Sequence, residues 1–481
     1  MSAKKLFALA LALLMAVSTV ACGNKEPATA PATTPATTAP ATVPSADPDS
    51  YHAKYGLPDV DFSGKTLELV DAATGWATSA SLEGDHNQVA RFEMLSAFME
   101  ETGAELLITP SATSTQFSEA QPIVMAGSKY GDIMLNAAWT LGEFYMADIL
   151  APMNDLKYLN TSKDYWDKSL LESLTVMDEL LGVGGDIAPV REQSWMLFFN
   201  KTIAEELQLP DLYQMVRDGD WTFDKFIEYC EMAVKDNGDN VWDSNDRYGV
   251  ASAPACLEQA LFYGMGGYFY NVNELGQYYC ATLDKRNREI TDLILRDIRD
   301  NNIAYNVADW GVTVNEMFPT DRLLFVCYVP NAGSTLWAEM VNDYGVLPMP
   351  KMNKDQKDYY QTGEQAVITF FCSKNGDQQD LVGYFLEFCG AYGNDVLQSV
   401  IDTYYETRFR DDASLEMFHI ATAKPYFERV TLMLANSNFD LFGPAQSTFN
   451  ITVQTPGASI SSYYESTIDA ANLRLAELFG Y

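Results

Sequence analysis

Residues 194–249 constrain the fold more than any other stretch. They begin with a five-residue apolar run, residues 195–199, closed by Asn200 and Lys201. A charged helical turn follows, then DGDWTFDKFIEYCEMAVKDNGDNVWDSNDRYG. Five apolar residues in a row fit a strand covered on both faces, or a short buried helix. Thr222 stands where a side-chain oxygen can accept from the first free N–H groups of a helix, and Asp224 lies at the positive end of its dipole. Phe223, Phe226, Ile227 and Cys230 fall at i, i+3, i+4 and i+7, which predicts one apolar face.

The same strand-then-helix rhythm runs ahead of this stretch. The pattern predicts strands over 66–72, 106–109 and 132–135, with helices over 89–99 and 117–126 between them. Alternation of this kind gives right-handed crossovers and a mostly parallel sheet. Residues 180–186 read as an extended passage into a second lobe. Beyond it, the spacing predicts a helix over 288–301, with Ile290, Leu293, Ile294 and Ile298 on one face. It also predicts a strand over 323–329, a return crossing at 347–350, a first-lobe strand over 366–372, and helices over 381–389 and 461–479. With 481 residues, two lobes of a few hundred residues each are expected.

The N-terminus is read as a targeting segment outside the fold. Lys4 and Lys5 precede a short apolar run, 6–17, that is too short to span a bilayer. Thr19-Val20-Ala21-Cys22 then fits lipoprotein processing, with acyl chains such as palmitate attached through the Cys22 thiol. Residues 23–50 are mostly Pro, Ala and Thr, a composition that builds no core. They read as an extended tether at roughly 3.1 Å per residue. The expected localisation is therefore the outer face of the cell membrane, held by lipid, with the body outside. The other six cysteines, Cys230, Cys256, Cys280, Cys327, Cys372 and Cys389, form no CxxC pair and read as core thiols, although an exported chain permits disulfides.

The order of short motifs resembles the extracellular solute-binding lipoproteins of ABC importers, in the maltose-binding-protein-like family 1 group. The apolar run with Asn200-Lys201 is followed by Gly219-x-Trp221-Thr222-x-Asp224-Lys225-Phe226, an Asp/Asn loop and Tyr248-Gly249. Gly84-Asp85-His86-Asn87 with Arg91, Asp132 with Trp139, Asp155-Leu156, Tyr165-Trp166, residues 344–348 with Pro350-Lys351, and Tyr404-Tyr405 agree in order. The resemblance covers most of the chain from about residue 62. It implies an α/β, two-lobe periplasmic-binding-protein-like (type II) fold with a hinge and an inter-lobe cleft. Lobe 1 would hold residues 51–187 and about 351–385. Lobe 2 would hold 188–350 and about 386–481, with the C-terminal helices. The implied activity is delivery of a solute, a carbohydrate or oligosaccharide, to a permease and its ATPase by hinge closure, with the binding protein a monomer. Two readings from other classes stay open: a surface enzyme acting on glycans through two carboxylates, and a solute sensor without transport.

Charge narrows the ligand. There are 31 Lys and Arg against 66 Asp and Glu, a formal net charge of −35 spread along the chain. Such a surface repels phosphate backbones, so nucleic acid is not an expected partner. Only His52, His86 and His419 occur, and the chain holds no GxSxG, GxxxxGK[ST], GxGxxG or HExxH motif, so no catalytic residues are proposed. Aromatics carry the positive case, because a Trp or Tyr ring covers the apolar face of a sugar while carboxylates and amides bond its rim. Ligands on parallel sheets sit beyond the carboxyl ends of the strands, which selects Trp76 and Trp139. Asp85, Asp186 and Glu192 are rim candidates, with a solvated or capping role as the plainer reading. Trp195 lies beside the first crossing and also reads as core. Trp310 and Trp337 flank the strand over 323–329, and Tyr360 and Glu364 follow the return crossing. Trp166 and Trp221 read as packing residues.

No cofactor is expected, but one loop raises a structural calcium. Asn237, Asp239, Asp243 and Asp246 match positions 3, 5, 9 and 12 of a calcium loop. Lys235 then occupies the first ligand position and Asn240 the turn position, which leaves Asp236 as a displaced first ligand. The competing reading is a solvated loop whose side chains bond their own backbone.

Overall fold

The computed structural model describes residues 51–72, 75–113, 116–188, 194–253, 255–306, 312–330, 337, 340–362, 367–407, 409–423, 425–434, 443–459 and 468–481. The targeting segment, Cys22 and the tether lie outside the described residues, as do Glu192, Trp310 and Glu364. The strands that organise the body are β1 (Thr66–Asp71), β2 (Glu105–Pro110), β3 (Ile133–Ala137), β4 (Gly182–Val183), β5 (Met196–Asn200), β6 (Tyr248–Ser252), β7 (Ala304–Asn306), β8 (Leu323–Tyr328), β9 (Tyr344–Leu347) and β10 (Ile368–Cys372).

They form two five-stranded sheets. The first runs β2-β1-β3-β10-β4. Its β1 is parallel to β2 and β3, and β10 is antiparallel to both β3 and β4. The second runs β7-β6-β8-β5-β9. There β6 is parallel to β7 and β8, while β5 is antiparallel to β8 and β9. The first sheet therefore takes one strand, β10, from beyond the whole of the second. The chain must cross between the sheets to reach β5 and cross again to return to β10. Both sheets and their helices lie within Val60–Tyr481, a unit separate from the residues before it. No helix among the described residues is long and apolar enough to cross a membrane.

The apolar run that opens the central stretch is a strand from Met196 to Asn200, buried throughout, with Trp195 half-buried just before it. Leu197 and Phe199 feed one core, while Met196 and Phe198 feed another on the opposite face. Period-2 alternation thus divides an unbroken apolar run between two layers. The helix after it is Phe223–Ala233, and Phe223, Phe226, Ile227 and Cys230 are all buried. Thr222 has extended backbone at its N-cap, yet its side chain makes no capping bond. Phe223 N instead donates to Lys351 O at 2.8 Å, so a distant strand end satisfies a donor that a local side chain was expected to take.

Three expectations shift. Residues 180–186 are not only a passage, because Gly182–Val183 is an edge strand of the first sheet, paired with Phe370 and Phe371. The return crossing comes later than 347–350. Pro348 O accepts from Trp221 Nε1 at 2.9 Å, Lys351 bridges to Thr222, and Gln356 Nε2 donates to Gly264 O at 2.8 Å. The chain therefore stays on the second body through Gln356. Finally, the helix predicted over 381–389 is Gln379–Thr407. Phe385 and Phe388 of this helix pack edge-on against Phe98 at 5.0 and 5.6 Å. A lobe division at 385 would cut through a single helix, which begins on the first body and carries Val400 into a core of the second. The helix predicted over 288–301 begins at Lys285, and its last turn, Leu295–Arg299, is π-helical. Cys230, Cys280, Cys327, Cys372 and Cys389 are buried free thiols, and Cys256 is half-buried.

Candidate functional site

The carboxyl ends of β1 and β3 carry a set of buried polar groups. Asp71, the last residue of β1, is fully buried, and its Oδ2 accepts from Ala77 N, Thr78 N and Thr78 Oγ1 at 2.9–3.1 Å. These bonds hold the loop that carries Trp76. Asn136, near the end of β3, donates through Nδ2 to Gln116 Oε1 at 3.3 Å, and Gln116 Nε2 donates to Val70 O at 2.8 Å. Gln116 has a φ of 58°, a left-handed backbone that is uncommon outside glycine. Sequence reasoning passed over Asp71, Gln116 and Asn136. Their partners are remote in the chain, and only the αL position at Gln116 betrays special use.

The two tryptophans chosen for this edge have different surroundings. Trp76 is 1% exposed, packs edge-on to Phe370 at 4.9 Å and donates through Nε1 to Ile187 O at 3.0 Å. Arg91 Nη1 donates to Trp76 O at 3.1 Å. Its ring is enclosed by protein. Trp139 lies in the short 3₁₀ turn Ala138–Thr140 that continues β3, and it clusters with Ala137 alone, apart from the larger cores. Asp85 is exposed and is the N-cap of the helix His86–Thr102, in a capping box with Gln88. Asp186 is half-buried where the chain leaves the first sheet, and its N–H donates to Tyr165 O at 3.0 Å.

On the second sheet the corresponding edge is formed by the start of β5 and the ends of β6 and β8. Trp195 is half-buried there, 6.3 Å from the ring of Tyr328. Glu258 sits in the first turn of the helix Cys256–Gly264, just past β6. Burial pushes its carboxyl up to about 7, although part of the residue surface stays open. Trp337 is not at the edge. It is fully buried among Phe198, Phe318, Tyr328 and Tyr344. Tyr360 is 38% exposed on the return connection.

In the Asp/Asn loop the side-chain oxygens turn to the loop's own backbone. Asp236 Oδ1 accepts from Gly238 N and Asn240 N at 2.6 and 3.3 Å. Asp246, fully buried, accepts from Asn237 N and Asp243 N at 2.8 and 2.7 Å. Asn237, Asp239 and Asp243 each bond the N–H two residues on. Among the described residues no group of three or more acidic, His or Cys side chains gathers as a metal site.

A family model described as bacterial extracellular solute-binding protein matches residues 85–391. No curated protein matches. Among solved structures, the chain is similar to UspC of M. tuberculosis, with 14% identity over 85% of this chain and 99% of that one and a TM-score of 0.59. It is similar to the sugar-binding protein MalE of Xanthomonas citri, with 13% identity over 86% and 98% and a TM-score of 0.58. It is also similar to an ABC substrate-binding protein of Listeria monocytogenes in complex with cycloalternan, with 14% identity over 87% and 100% and a TM-score of 0.55. These likenesses show the fold, a two-lobe α/β architecture. With more than half of its length matched, the chain belongs to the bacterial extracellular solute-binding protein family.

Proposed function

We propose that this protein captures a carbohydrate, an oligosaccharide in particular, outside the cell and delivers it to an ABC importer. The observation that carries this reading is the double crossing between two sheets, with β10 returned to the first sheet after the second is complete. Two bodies joined through such connections can close on a solute by hinge motion. A solute that touches both bodies favours the closed form, which is the form a permease can read. The sugar class rests on the fold neighbours that hold sugars and on Trp139, which is 7% exposed and lies at a strand's carboxyl end outside the larger cores. Acylation at Cys22, with residues 23–50 as a tether, would hold the monomeric body at the membrane beside its permease and ATPase. A thermal-shift screen of the full chain against mono- and oligosaccharides, amino acids and peptides tests this. A ligand that binds only the folded state raises stability by about 2.7 kcal/mol at a hundred times its Kd. A saturable shift confined to sugars supports the reading. A shift confined to amino acids or peptides removes the sugar assignment, and cleavage of an added glycan removes the binding-protein reading altogether.

A further inference from the structure

Among the described residues, two buried polar side chains on the connections between the sheets have nothing to bond. Gln361 is 1% exposed, and neither its Oε1 nor its Nε2 has a hydrogen-bond partner. Ser194 is fully buried, and its Oγ is likewise without a partner. Two other buried glutamine amides, Gln116 and Gln356, are satisfied. Gln116 bonds Val70 O, and Gln356 bonds Gly264 O and Asp358 O. A buried polar group left unpaired bears its full desolvation penalty, and such groups are few in folded proteins.

Their positions are informative. Ser194 is where the chain arrives from the first sheet, two residues before Met196. Met196 is the register partner of Tyr328, the last residue of β8. Gln361 lies on the return connection, in a two-residue strand paired with Pro425–Tyr426. That strand packs against the helix Cys256–Gly264, which begins just past the carboxyl end of β6. Ser194 therefore borders the edge of the second sheet at which α/β folds take their ligands, and Gln361 lies against the helix that starts from that edge.

We propose that the Gln361 amide and the Ser194 hydroxyl receive hydroxyl groups of the bound carbohydrate, so that the connections between the lobes are themselves part of the binding site; this rests on the carbohydrate reading above. A primary amide presents donors and an acceptor together. A sugar hydroxyl also donates and accepts, and so satisfies both ends of Gln361. A carboxylate only accepts and an ammonium only donates, so each leaves one end unmet. Contacts made on the connections couple occupancy of the site to the hinge.

The test compares the full chain with its Gln361→Leu and Ser194→Ala variants. Thermal unfolding is followed without ligand and with maltotriose, cycloalternan, glucose and tagatose, and Kd is measured by calorimetry for whichever sugar stabilises the wild type. Gln361→Leu is expected to unfold at the same or a higher temperature without ligand, because it removes an unmet polar group. It is expected to weaken sugar binding about tenfold or more, and Ser194→Ala to weaken it by a smaller factor. A lower melting temperature for ligand-free Gln361→Leu would make the amide a structural group and overturn the proposal. Unchanged affinity in both variants would overturn it too, leaving the pair as hosts of bound water only. If none of the four sugars shifts the wild type, the carbohydrate reading itself fails and takes this inference with it. If a sugar shifts wild type and variants alike, this inference alone fails.

Discussion

Trp76 Nε1 donates to Ile187 O at 3.0 Å, joining the loop after β1 to the segment that leaves the first sheet 111 residues later. The ring is closed off from solvent by Phe370 and by its own loop. Trp76 therefore acts as a strut at the root of the first crossing. Trp76→Phe keeps most of the ring but leaves Ile187 O unpaired, and is expected to cost about 1–2 kcal/mol. Trp76→Ala is expected to cost about 3–5 kcal/mol. Chemical denaturation of the two variants checks the ranking. An undiminished midpoint for Trp76→Ala would show that the ring is not packed.

Trp139 should behave in the opposite way. Its ring contributes to none of the larger cores, so Trp139→Ala is expected to lower stability by less than Trp76→Ala. A sugar stacked on an aromatic ring loses that contact when the ring is removed, and a weakening of about tenfold is expected. Calorimetric titration of the variant decides. Unchanged sugar affinity would place the stacking surface elsewhere.

Glu428 gives a pH dependence with a definite sign. Its carboxylate accepts from Phe269 N and Tyr270 N at 2.9 and 2.7 Å, from Thr431 Oγ1 at 2.7 Å and from Tyr263 OH at 3.3 Å. Burial nevertheless pushes the carboxyl up to about 7, against the downward pull of those four donors. Unfolded, the group returns to its ordinary range near 4.5. Between those values the folded chain holds the proton and the unfolded chain does not, so the contribution of Glu428 is fully present below about 4.5 and is lost as pH rises through 7. The loss is on the order of 2–3 kcal/mol. Melting temperatures from pH 5 to 8 should fall less steeply for Glu428→Gln than for the wild type. Parallel curves would show that the carboxyl titrates normally.

The Asp/Asn loop is held by its own side chains, so chelation by EDTA is expected to leave the melting temperature unchanged. A drop on chelation that added calcium reverses would mean that Asp236, Asn237, Asp239, Asp243 and Asp246 turn from backbone to metal.

Much of the fold was legible because its signals are local. The run ending at Phe199, the i, i+3, i+4, i+7 face from Phe223 to Cys230, and the strand–helix alternation before Ala137 each need only neighbouring residues to be read. The site was less legible because its determinants are not local. Trp337 sits near a strand end in sequence but lies under Phe198 and Phe318. Trp76 follows a strand end as the rule requires, yet a carbonyl 111 residues away claims its N–H. Asp85, a rim candidate whose plainer reading is a solvated or capping role, is the N-cap of its helix. Gln361 carries no sequence signal, since nothing marks a glutamine as buried and unmet until its neighbours are placed.

The central claim is closure of two lobes around a sugar, and distance between the lobes reads it most directly. Met125, on the helix Phe117–Met125 of the first body, is 73% exposed, and Leu275, beyond the second sheet, is 81% exposed. Dyes placed at Met125→Cys and Leu275→Cys, in a Cys22→Ser, Cys256→Ser background, report that distance by energy transfer. The account predicts a saturable change in transfer as an oligosaccharide is titrated, with the midpoint at its calorimetric Kd, and no change with amino acids or peptides. Constant transfer while a sugar demonstrably binds would contradict hinge closure.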